Sequence, residues 1–299
     1  MTIHQNCPIC KSTKLNTYTT TWDYSVSKEN FTLSQCSDCS LIFTNPIPDE
    51  NEIVKYYQSD NYISHTDTRK GLINKLYHAV RNYTLNKKVA LIKKLNNNKS
   101  GKLLDIGCGT GYFLEAAHRN NWEISGFEPD NKARDIANNK LNFKIVGKLE
   151  EVIDREFDVI SLWHVLEHIH QLDFTINKLK TLLKHNGTII IAVPNIESWD
   201  SQYYKEKWAA LDVPRHLYHF SKKSMMALAK QHQLNVIKTK PMIFDSFYVS
   251  MISEKYKNNN KLGITQILKS FIIGLISNIK GITTNNQSST IYILKKQND

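Results

Sequence analysis

The segment "LLDIGCGTGYF", Leu103 to Phe113, constrains the fold of this chain more than any other stretch. An apolar run leads into three glycines at alternate positions, Gly107, Gly109 and Gly111, and a helical pattern follows. Glycine tolerates the left-handed backbone of a tight turn and lets a ligand approach the main chain closely. The N-terminus of the following helix favours a negative group. The segment therefore predicts a ligand-binding turn between a strand and its helix.

Strand-like and helical segments alternate from residue 102 to the end of the chain. The strand candidates are "KLLDIG", "EISGFEPD", "FKIVG", "FDVISLW", "GTIIIAVPN", "LNVIKT" and "IYILKK". Helical stretches separate most of them, which indicates a largely parallel sheet covered by helices on both faces. We predict an α/β fold, with a doubly wound, Rossmann-like sheet of seven strands over residues 101–299 and a helical insertion at about 244–285.

Four of the five cysteines lie in two CxxC pairs near the N-terminus, Cys7 with Cys10 and Cys36 with Cys39. Each pair offers two thiolates to one tetrahedral ion. Two disulfides and unrelated thiols are the alternatives, but a cytoplasmic compartment disfavours the first and the paired spacing disfavours the second. We predict a zinc-ribbon-like domain over residues 1–45 with a structural zinc, since four thiolates leave no open position. Residues 46–100 are predicted to form a helical linker or lid.

An acidic residue, Glu128, follows the second strand candidate, 21 residues after Gly107. A carboxylate at this place accepts hydrogen bonds from both hydroxyls of a ribose. The glycine spacing is GxGxG, which differs from the GxGxxG of dinucleotide-binding turns, and the chain has no GxxxxGK[ST] phosphate loop. The pattern predicts a nucleoside-containing cofactor and disfavours a nicotinamide dinucleotide.

These segments resemble the class I S-adenosylmethionine-dependent methyltransferases. "DIGCGTG" is similar to the first motif of that family, "FEPD" to the second and "FDVISLWHVLEH" to the segment after the fourth strand. The resemblance implies methyl transfer with S-adenosyl-L-methionine as the cofactor. Tyr62 and His65, in a polar and aromatic break ahead of the domain, are candidates to cover it. The predicted cofactor-binding residues are Asp105, Gly107, Cys108, Gly109, Gly111, Glu128, Pro129, Trp163, His164 and Tyr62.

The wider layout resembles a zinc-ribbon-bearing subgroup of small-molecule methyltransferases that includes sugar C-methyltransferases. By that resemblance, His216 of "PRHLYHFS" is the general base and His168 of "HVLEHI" is a second site histidine. A histidine suits an oxygen or carbon acceptor because its pKa lies near neutrality. Arg215 stands where these relatives carry glutamate, and could pair with a carboxylate or phosphate of the substrate. His219 is a further catalytic candidate. A hydrogen-bonded core position is the alternative for His168, and a packing role for His219.

The formal charge is +11, and residues 221–299 contribute most of it, with 12 lysines against 3 acidic residues. Such a surface attracts nucleic acid, anionic lipid or phosphorylated substrates, or is simply solvated. Residues 1–45 carry 3 lysines and 3 acidic residues, so the ribbon shows no basic footprint for nucleic acid. No signal-peptide pattern opens the chain, and "FIIGLI" is far shorter than the roughly 20 residues that span a bilayer. We expect a cytoplasmic protein.

A helical apolar pattern lies between the last two strand candidates. It consists of Leu268, Phe271, Ile272, Leu275, Ile276 and Ile279, with Lys269 and Lys280 beside it. The stripe predicts a helix that packs on its own domain or across a dimer. The alternative is a helix that lies in a membrane surface, close to a lipid-linked substrate.

The sequence favours a methyltransferase that acts on an oxygen or carbon atom of a small molecule, a sugar, or a glycan or lipid-linked precursor. The first alternative is an RNA or protein methyltransferase that uses the ribbon for recognition. The chain lacks the [ND]PP[YF] motif after the fourth strand, which disfavours an exocyclic amine of nucleic acid as the target. The second alternative is a non-catalytic homologue that binds the cofactor, which the intact glycines and Glu128 disfavour.

Overall fold

The structure is a computed structural model, which describes residues 1–57, 72–153 and 156–297, with the side chains of the helix at 72–95 described from His78 onward. Tyr62 and His65 lie outside the described residues. The strands are β1 Leu15–Trp22, β2 Asn30–Cys36, β3 Ile42–Thr44, β4 Lys102–Ile106, β5 Glu123–Phe127, β6 Phe157–Trp163, β7 Leu183–Pro194, β8 Tyr218–His219, β9 Leu234–Pro241 and β10 Ser289–Lys296. The helices are α1 Leu72–Leu95, α2 Tyr112–His118, α3 Asn131–Leu141, α4 Leu172–Leu182, α5 Trp199–Tyr204, α6 Lys222–Gln231, α7 Asp245–Lys257 and α8 Ile264–Thr284.

The described residues divide into two compact units. The first takes residues 1–57, 166–173 and 192–292, and the second takes the remaining described residues within 72–165, 174–191 and 293–297. The domain boundaries at residues 45 and 100 stay predictions from the sequence.

The first unit contains a four-stranded sheet in the order β1-β2-β3-β8. β1 and β2 form an antiparallel hairpin, and its turn is closed by Asp23, whose carboxylate accepts hydrogen bonds from the N–H groups of Ser25, Val26 and Ser27. β8 comes from a segment about 175 residues later and pairs antiparallel with β3, with Ile42 opposite His219. The N-terminal cysteine segment and the "PRHLYHFS" segment therefore belong to one sheet.

The second unit is built around β4, which pairs in parallel with β5 on one side and β6 on the other. The first strand of this sheet therefore lies in its interior, and the strand order reverses at β4, as in doubly wound folds. Leu103, Leu104 and Ile106 of β4 are buried, as a strand covered on both faces requires. The α/β, Rossmann-like architecture predicted from the sequence is confirmed.

The larger sheet has six strands in the described residues, in the order β5-β4-β6-β7-β10-β9, so the prediction of seven strands is wrong. The missing strand is the "FKIVG" segment at 143–147. It forms a single parallel bridge between Val146 and Phe127, in which the Val146 N–H donates to the Gly126 carbonyl. Ile145 is buried beside it, so the apolar residues that suggested a strand serve packing instead.

α7 and α8 pack against each other within the range predicted as a helical insertion. Gly274 permits the close approach, because a Cβ at this position would lie 2.7 Å from the ring of Phe247. Phe247 also stacks on Phe271, with ring centroids 4.9 Å apart. Within the described part of the chain, α8 is the one helix long and apolar enough to cross a membrane by length and composition.

Candidate active site

The glycine turn connects β4 to α2 as the sequence predicts. Gly107, Gly109 and Gly111 have φ angles of +63°, +54° and +77°, in the left-handed region that favours glycine. A Cβ at Gly107 would lie 2.6 Å from Val165, whereas a Cβ at Gly109 would meet no heavy atom within 4 Å. The backbone at Gly109 is therefore open to a ligand.

Glu128 follows β5 directly and points back to the glycine turn. Its carboxylate accepts hydrogen bonds from the N–H of Gly109 at 2.7 Å and from the N–H of Asp130 at 2.9 Å. Burial raises the pKa of Glu128 above its ordinary value, and the two N–H donors act in the opposite direction. Each carboxylate oxygen has a further lone pair, so the residue can accept from two ligand hydroxyls.

Asp105 lies in β4, two residues before Gly107, and is buried. The Ser161 hydroxyl donates to its carboxylate at 2.6 Å. Burial raises the pKa of Asp105 to about 7, against the opposing effects of the Ser161 hydrogen bond and the charge of Lys88. Lys88 of α1 was missed in the sequence, because nothing in the "NKKVALIKK" run distinguishes it from the other lysines.

Trp163 ends β6, and its ring lies at the same carboxyl edge of the sheet as the glycine turn. Phe113 packs edge-on against it, and Lys88 Nζ lies 4.1 Å from its ring centroid. The indole N–H is buried without a hydrogen-bond partner among the described residues. An unpartnered buried donor beside an open glycine backbone and an acceptor carboxylate fits a bound polar cofactor.

The other predicted cofactor residues border this turn. His164 has a φ of +57° directly after β6, Cys108 is half-buried between the first two glycines, and Pro129 is exposed beside Glu128. Parallel strands end together at one edge of a sheet, and ligands bind there at the point where the strand order reverses. The structure therefore brings the described members of the predicted cofactor set to one place, with Lys88 added.

The first unit holds a pair of histidines in contact. His168 ends a short 3₁₀ turn, Leu166–His168, and its ring lies edge-on to that of His216 with centroids 4.6 Å apart. His216 Nδ1 lies 2.8 Å from the Ala210 carbonyl, which can only accept. Nδ1 therefore carries a proton, so in the neutral ring the lone pair is on Nε2.

His168 Nδ1 lies 3.0 Å from the Arg215 carbonyl and 3.0 Å from the Tyr57 hydroxyl. Burial, followed by the neighbouring His216, lowers the pKa of His168 to about 4. The His168 ring is therefore neutral at pH 7, which is the form that can accept a proton or bind a metal ion.

Glu167 and His219 complete the surroundings of the pair. Ligand atoms of Glu167, His168 and His216 lie within 4.8 Å of one another, so the three could hold a metal ion. His219 of β8 is buried, its ring centroid lies 6.5 Å from that of His216, and burial lowers its pKa to about 3. His219 Nε2 is buried without a hydrogen-bond partner among the described residues.

Arg215 is 1% exposed, and its guanidinium is used within the protein. It donates to Asp23, to Asp212, to the Ser25 hydroxyl and to the Tyr56 carbonyl, at distances between 2.6 and 3.3 Å. These acceptors engage all five N–H groups of the side chain. Arg215 therefore holds the backbone of the His216 segment, which differs from the predicted pairing with an anion of the substrate.

The four predicted zinc ligands converge in the first unit. Their Sγ atoms lie within 4.8 Å of one another, with Cys7 Sγ 3.5 Å from Cys39 Sγ and Cys10 Sγ 3.5 Å from Cys36 Sγ. Zinc–sulfur bonds of about 2.3 Å in a tetrahedron place sulfurs about 3.8 Å apart. All four cysteines are free thiols. The donor set and its spacing fit a structural zinc ion.

The part of this chain that contains the glycine turn and the two histidines is similar to known proteins. The family described as "Methyltransferase domain" matches residues 77–239, more than half of the chain. The ubiquinone biosynthesis O-methyltransferase of Pelagibacter ubique (strain HTCC1062) is 30% identical over 158 residues, which are 46% of this chain and 66% of that protein. Its counterpart from Rhodopseudomonas palustris (strain TIE-1) is 28% identical over 163 residues, 49% of this chain and 61% of that protein. The match thus spans less than two thirds of either relative.

Among solved structures, the magnesium protoporphyrin IX methyltransferase from Synechocystis PCC 6803 with bound SAH superimposes with a TM-score of 0.53 and 14% identity. The superposition covers 83% of this chain and 100% of that one. At this identity the likeness establishes the fold. With the fold of the class I S-adenosylmethionine-dependent methyltransferases and a family match over more than half of its length, the chain belongs to the methyltransferase-domain family.

Proposed function

We propose that this protein is an S-adenosylmethionine-dependent methyltransferase that methylates an oxygen atom of a small-molecule acceptor. The observation that carries the proposal is the pairing of Glu128 with the N–H of Gly109, beside a backbone with open space around it. Relatives at 28–30% identity are ubiquinone biosynthesis O-methyltransferases, which supports an oxygen acceptor.

The residues of the second unit are suited to holding the cofactor. Glu128 offers lone pairs to the two ribose hydroxyls, while the N–H groups of Gly109 and Asp130 keep its carboxylate oriented. Asp105 and Lys88 offer opposite charges to the amino and carboxylate groups of the methionine part. The buried indole N–H of Trp163 can donate a hydrogen bond to a polar group of the cofactor. When bound, S-adenosylmethionine supplies an activated methyl group.

The residues of the first unit are suited to removing a proton from the acceptor. His216 is proposed as the proton acceptor, because its Nδ1–H is committed to the Ala210 carbonyl and its Nε2 lone pair is available. His168 is the second candidate for proton acceptor, and its edge-on contact helps to orient the His216 ring. Arg215 acts as a positioning residue through its buried acceptors, and His219 as a buried neighbour of the pair.

The proposed acceptor carries a hydroxyl and is anionic or attached to a lipid. The lysine-rich residues 221–299 favour an anionic molecule, and the apolar outer face of α8 favours a lipid attachment. The cytoplasm is the proposed compartment.

The cofactor part is tested by calorimetric titration of the full-length protein with S-adenosylhomocysteine. Glu128→Gln should weaken binding at least tenfold, since a hydrogen bond to a charged group contributes about 1.5–3 kcal/mol. Glu123→Gln, at an exposed glutamate that begins the strand preceding Glu128, is the matched control and should leave binding unchanged. Failure of the wild-type protein to bind would refute the cofactor assignment.

The acceptor part is tested by labelled methyl transfer to cell extracts that have been split into organic and aqueous fractions. Label in a small, organic-soluble product that resists nuclease and protease supports the proposal. Label that disappears on nuclease or protease treatment would instead assign the protein to RNA or protein methylation.

A further inference from the structure

α8 presents an uncovered apolar stripe. Eight large apolar residues along its length are between 39% and 78% exposed, in positions that repeat every three or four residues: Ile264, Ile267, Leu268, Phe271, Ile272, Leu275, Ile279 and Ile282. At 100° per residue these positions fall on one side of the helix. A stripe of this length is unusual on a helix that only covers a soluble domain.

The opposite side of α8 is fastened to the protein. Ser270, Ile273, Gly274, Ser277 and Gly281 are buried, and all are on the side turned away from the stripe. The Ser277 hydroxyl donates to the buried carboxylate of Asp200 at 2.6 Å. This small-residue face lies against α7 and α5, so the helix cannot leave the fold to cross a bilayer without losing these contacts. The apolar stripe is therefore left on the outer side of a helix that is held in the fold by its other face.

The stripe continues onto α7 and the turn before it. Ile243, Phe244 and Tyr248 are 53%, 38% and 54% exposed. Aromatic rings and aliphatic side chains together, at the edge of an apolar helix face, are typical of elements that lie at a membrane–water interface.

The charge of this region distinguishes a lipid surface from a second copy of the chain. α8 has two lysines and no acidic residue, and residues 243–284 have five lysines against two acidic residues. One of those acids, Glu254, is buried and already pairs with Lys269 at 3.1 Å. A twofold dimer through this face would set the same lysine-rich surface against itself. Anionic lipid headgroups complement it.

We propose that α8 docks this protein flat on an anionic lipid surface, with the stripe from Ile264 to Ile282 facing the acyl chains and the small-residue face remaining on the protein. Docking in this orientation bears on the acceptor class proposed above, because it brings the protein to the surface where a lipid-linked acceptor resides. Binding is measured without turnover, so failure of the docking and failure of the proposed activity are distinguishable.

The test is co-sedimentation of the full-length protein with vesicles of phosphatidylcholine containing about one third phosphatidylglycerol, compared with pure phosphatidylcholine. The wild-type protein should bind the anionic vesicles at least tenfold more tightly, and high salt should weaken the binding. The double variant Leu268→Ser/Leu275→Ser should lose at least tenfold in affinity. Ile136→Ser/Phe174→Ser, which removes comparably exposed apolar side chains from α3 and α4, should bind as the wild type does.

Two further measurements keep the result decisive. Thermal melts of both double variants should match that of the wild type, since serine replaces side chains that are about half exposed or more. Light scattering in solution reports whether the stripe is covered by a second copy. Absence of sedimentation, equal sedimentation of the α8 variant, or a wild-type dimer that the α8 variant converts to monomer would each overturn the proposal.

Discussion

Arg215 and Asp23 form a buried ion pair, with Arg215 Nη2 2.9 Å from Asp23 Oδ1. They are 192 positions apart in the sequence, and both side chains are almost completely shielded from solvent. The pair fastens the turn between β1 and β2 to the residue that immediately precedes His216. The ion pair thus links the N-terminal hairpin to the backbone beside the candidate proton acceptor.

We expect Asp23→Ala to lower the free energy of unfolding by about 3 kcal/mol, because it leaves a buried guanidinium with Asp212 as its remaining carboxylate partner. Urea unfolding of the full-length protein measures this. Lys14→Ala, which removes an exposed pair with Asp38, should leave the midpoint unchanged.

Burial alone would raise the pKa of Asp23, but the Arg215 hydrogen bond and charge outweigh it and hold the pKa well below its usual range. The wild type should therefore lose stability below about pH 4, and Asp23→Ala should lack this contribution. Equal stability of the two proteins at pH 7 would show that the pair is dispensable.

His216→Gln should lower kcat for methyl transfer by at least about a hundredfold, since positioned proton transfer contributes 10²–10⁴ in rate. Binding of S-adenosylhomocysteine should not change, and this separates loss of the base from loss of the fold. His185→Gln, at an exposed histidine of β7, is the control. Turnover within about threefold of the wild type would remove His216 from the chemistry. If a chelator abolishes wild-type activity and Mn²⁺ restores it, the histidine pair and Glu167 hold a cation instead.

Asp105 should make the stability of the ligand-free protein fall as the pH rises. Its pKa is raised from its ordinary value to about 7, so between about pH 4 and pH 7 the folded chain binds a proton that the unfolded chain releases. Asp105→Asn removes this linkage, so the stability of the variant relative to the wild type should be higher at pH 8 than at pH 4. Thermal melts across this range measure the difference. A wild-type curve that rises between pH 4 and pH 7 relative to the variant would contradict the assignment.

The four-cysteine cluster should bind one zinc ion per chain. Cys39→Ser should abolish zinc in the purified protein, as measured by elemental analysis, whereas Cys108→Ser, at the half-buried cysteine of the glycine turn, should retain it. A strong chelator should lower the melting temperature of the wild type and have no further effect on Cys39→Ser. Wild-type protein without zinc, or with two disulfides, would refute the prediction.

The glycine turn and Glu128 were predictable because the information is local: each residue lies at the end of an apolar strand, and strand ends meet at one edge of a parallel sheet. The four cysteines were predictable for the same reason, since each CxxC pair is complete within four residues. His168 and His216 were linked by resemblance, and the structure brings their rings into contact. Their catalytic roles stay predictions.

Long-range partners account for what the sequence did not reveal. Arg215 looks like a candidate for anion binding until Asp23 and Tyr56 are placed around it, and both come from a distant part of the chain. The "FKIVG" segment has the composition of a strand, but only one bridge forms, between Val146 and Phe127, and Ile145 is buried beside it. The stripe on α8 has the periodicity of a core helix, and the tertiary structure places its serines and glycines inward instead.

The pairing of β3 with β8 has a consequence for evolution and for protein dissection alike. Because Tyr218 and His219 complete the sheet that the cysteine segment begins, we expect the ribbon to fold together with the histidine segment and not as a detachable module. A fragment that starts at residue 101 would lose the strand beside β8 and leave Arg215 without Asp23. We expect the ribbon and the histidine segment to unfold as a single cooperative block, so that either can change only in step with the other.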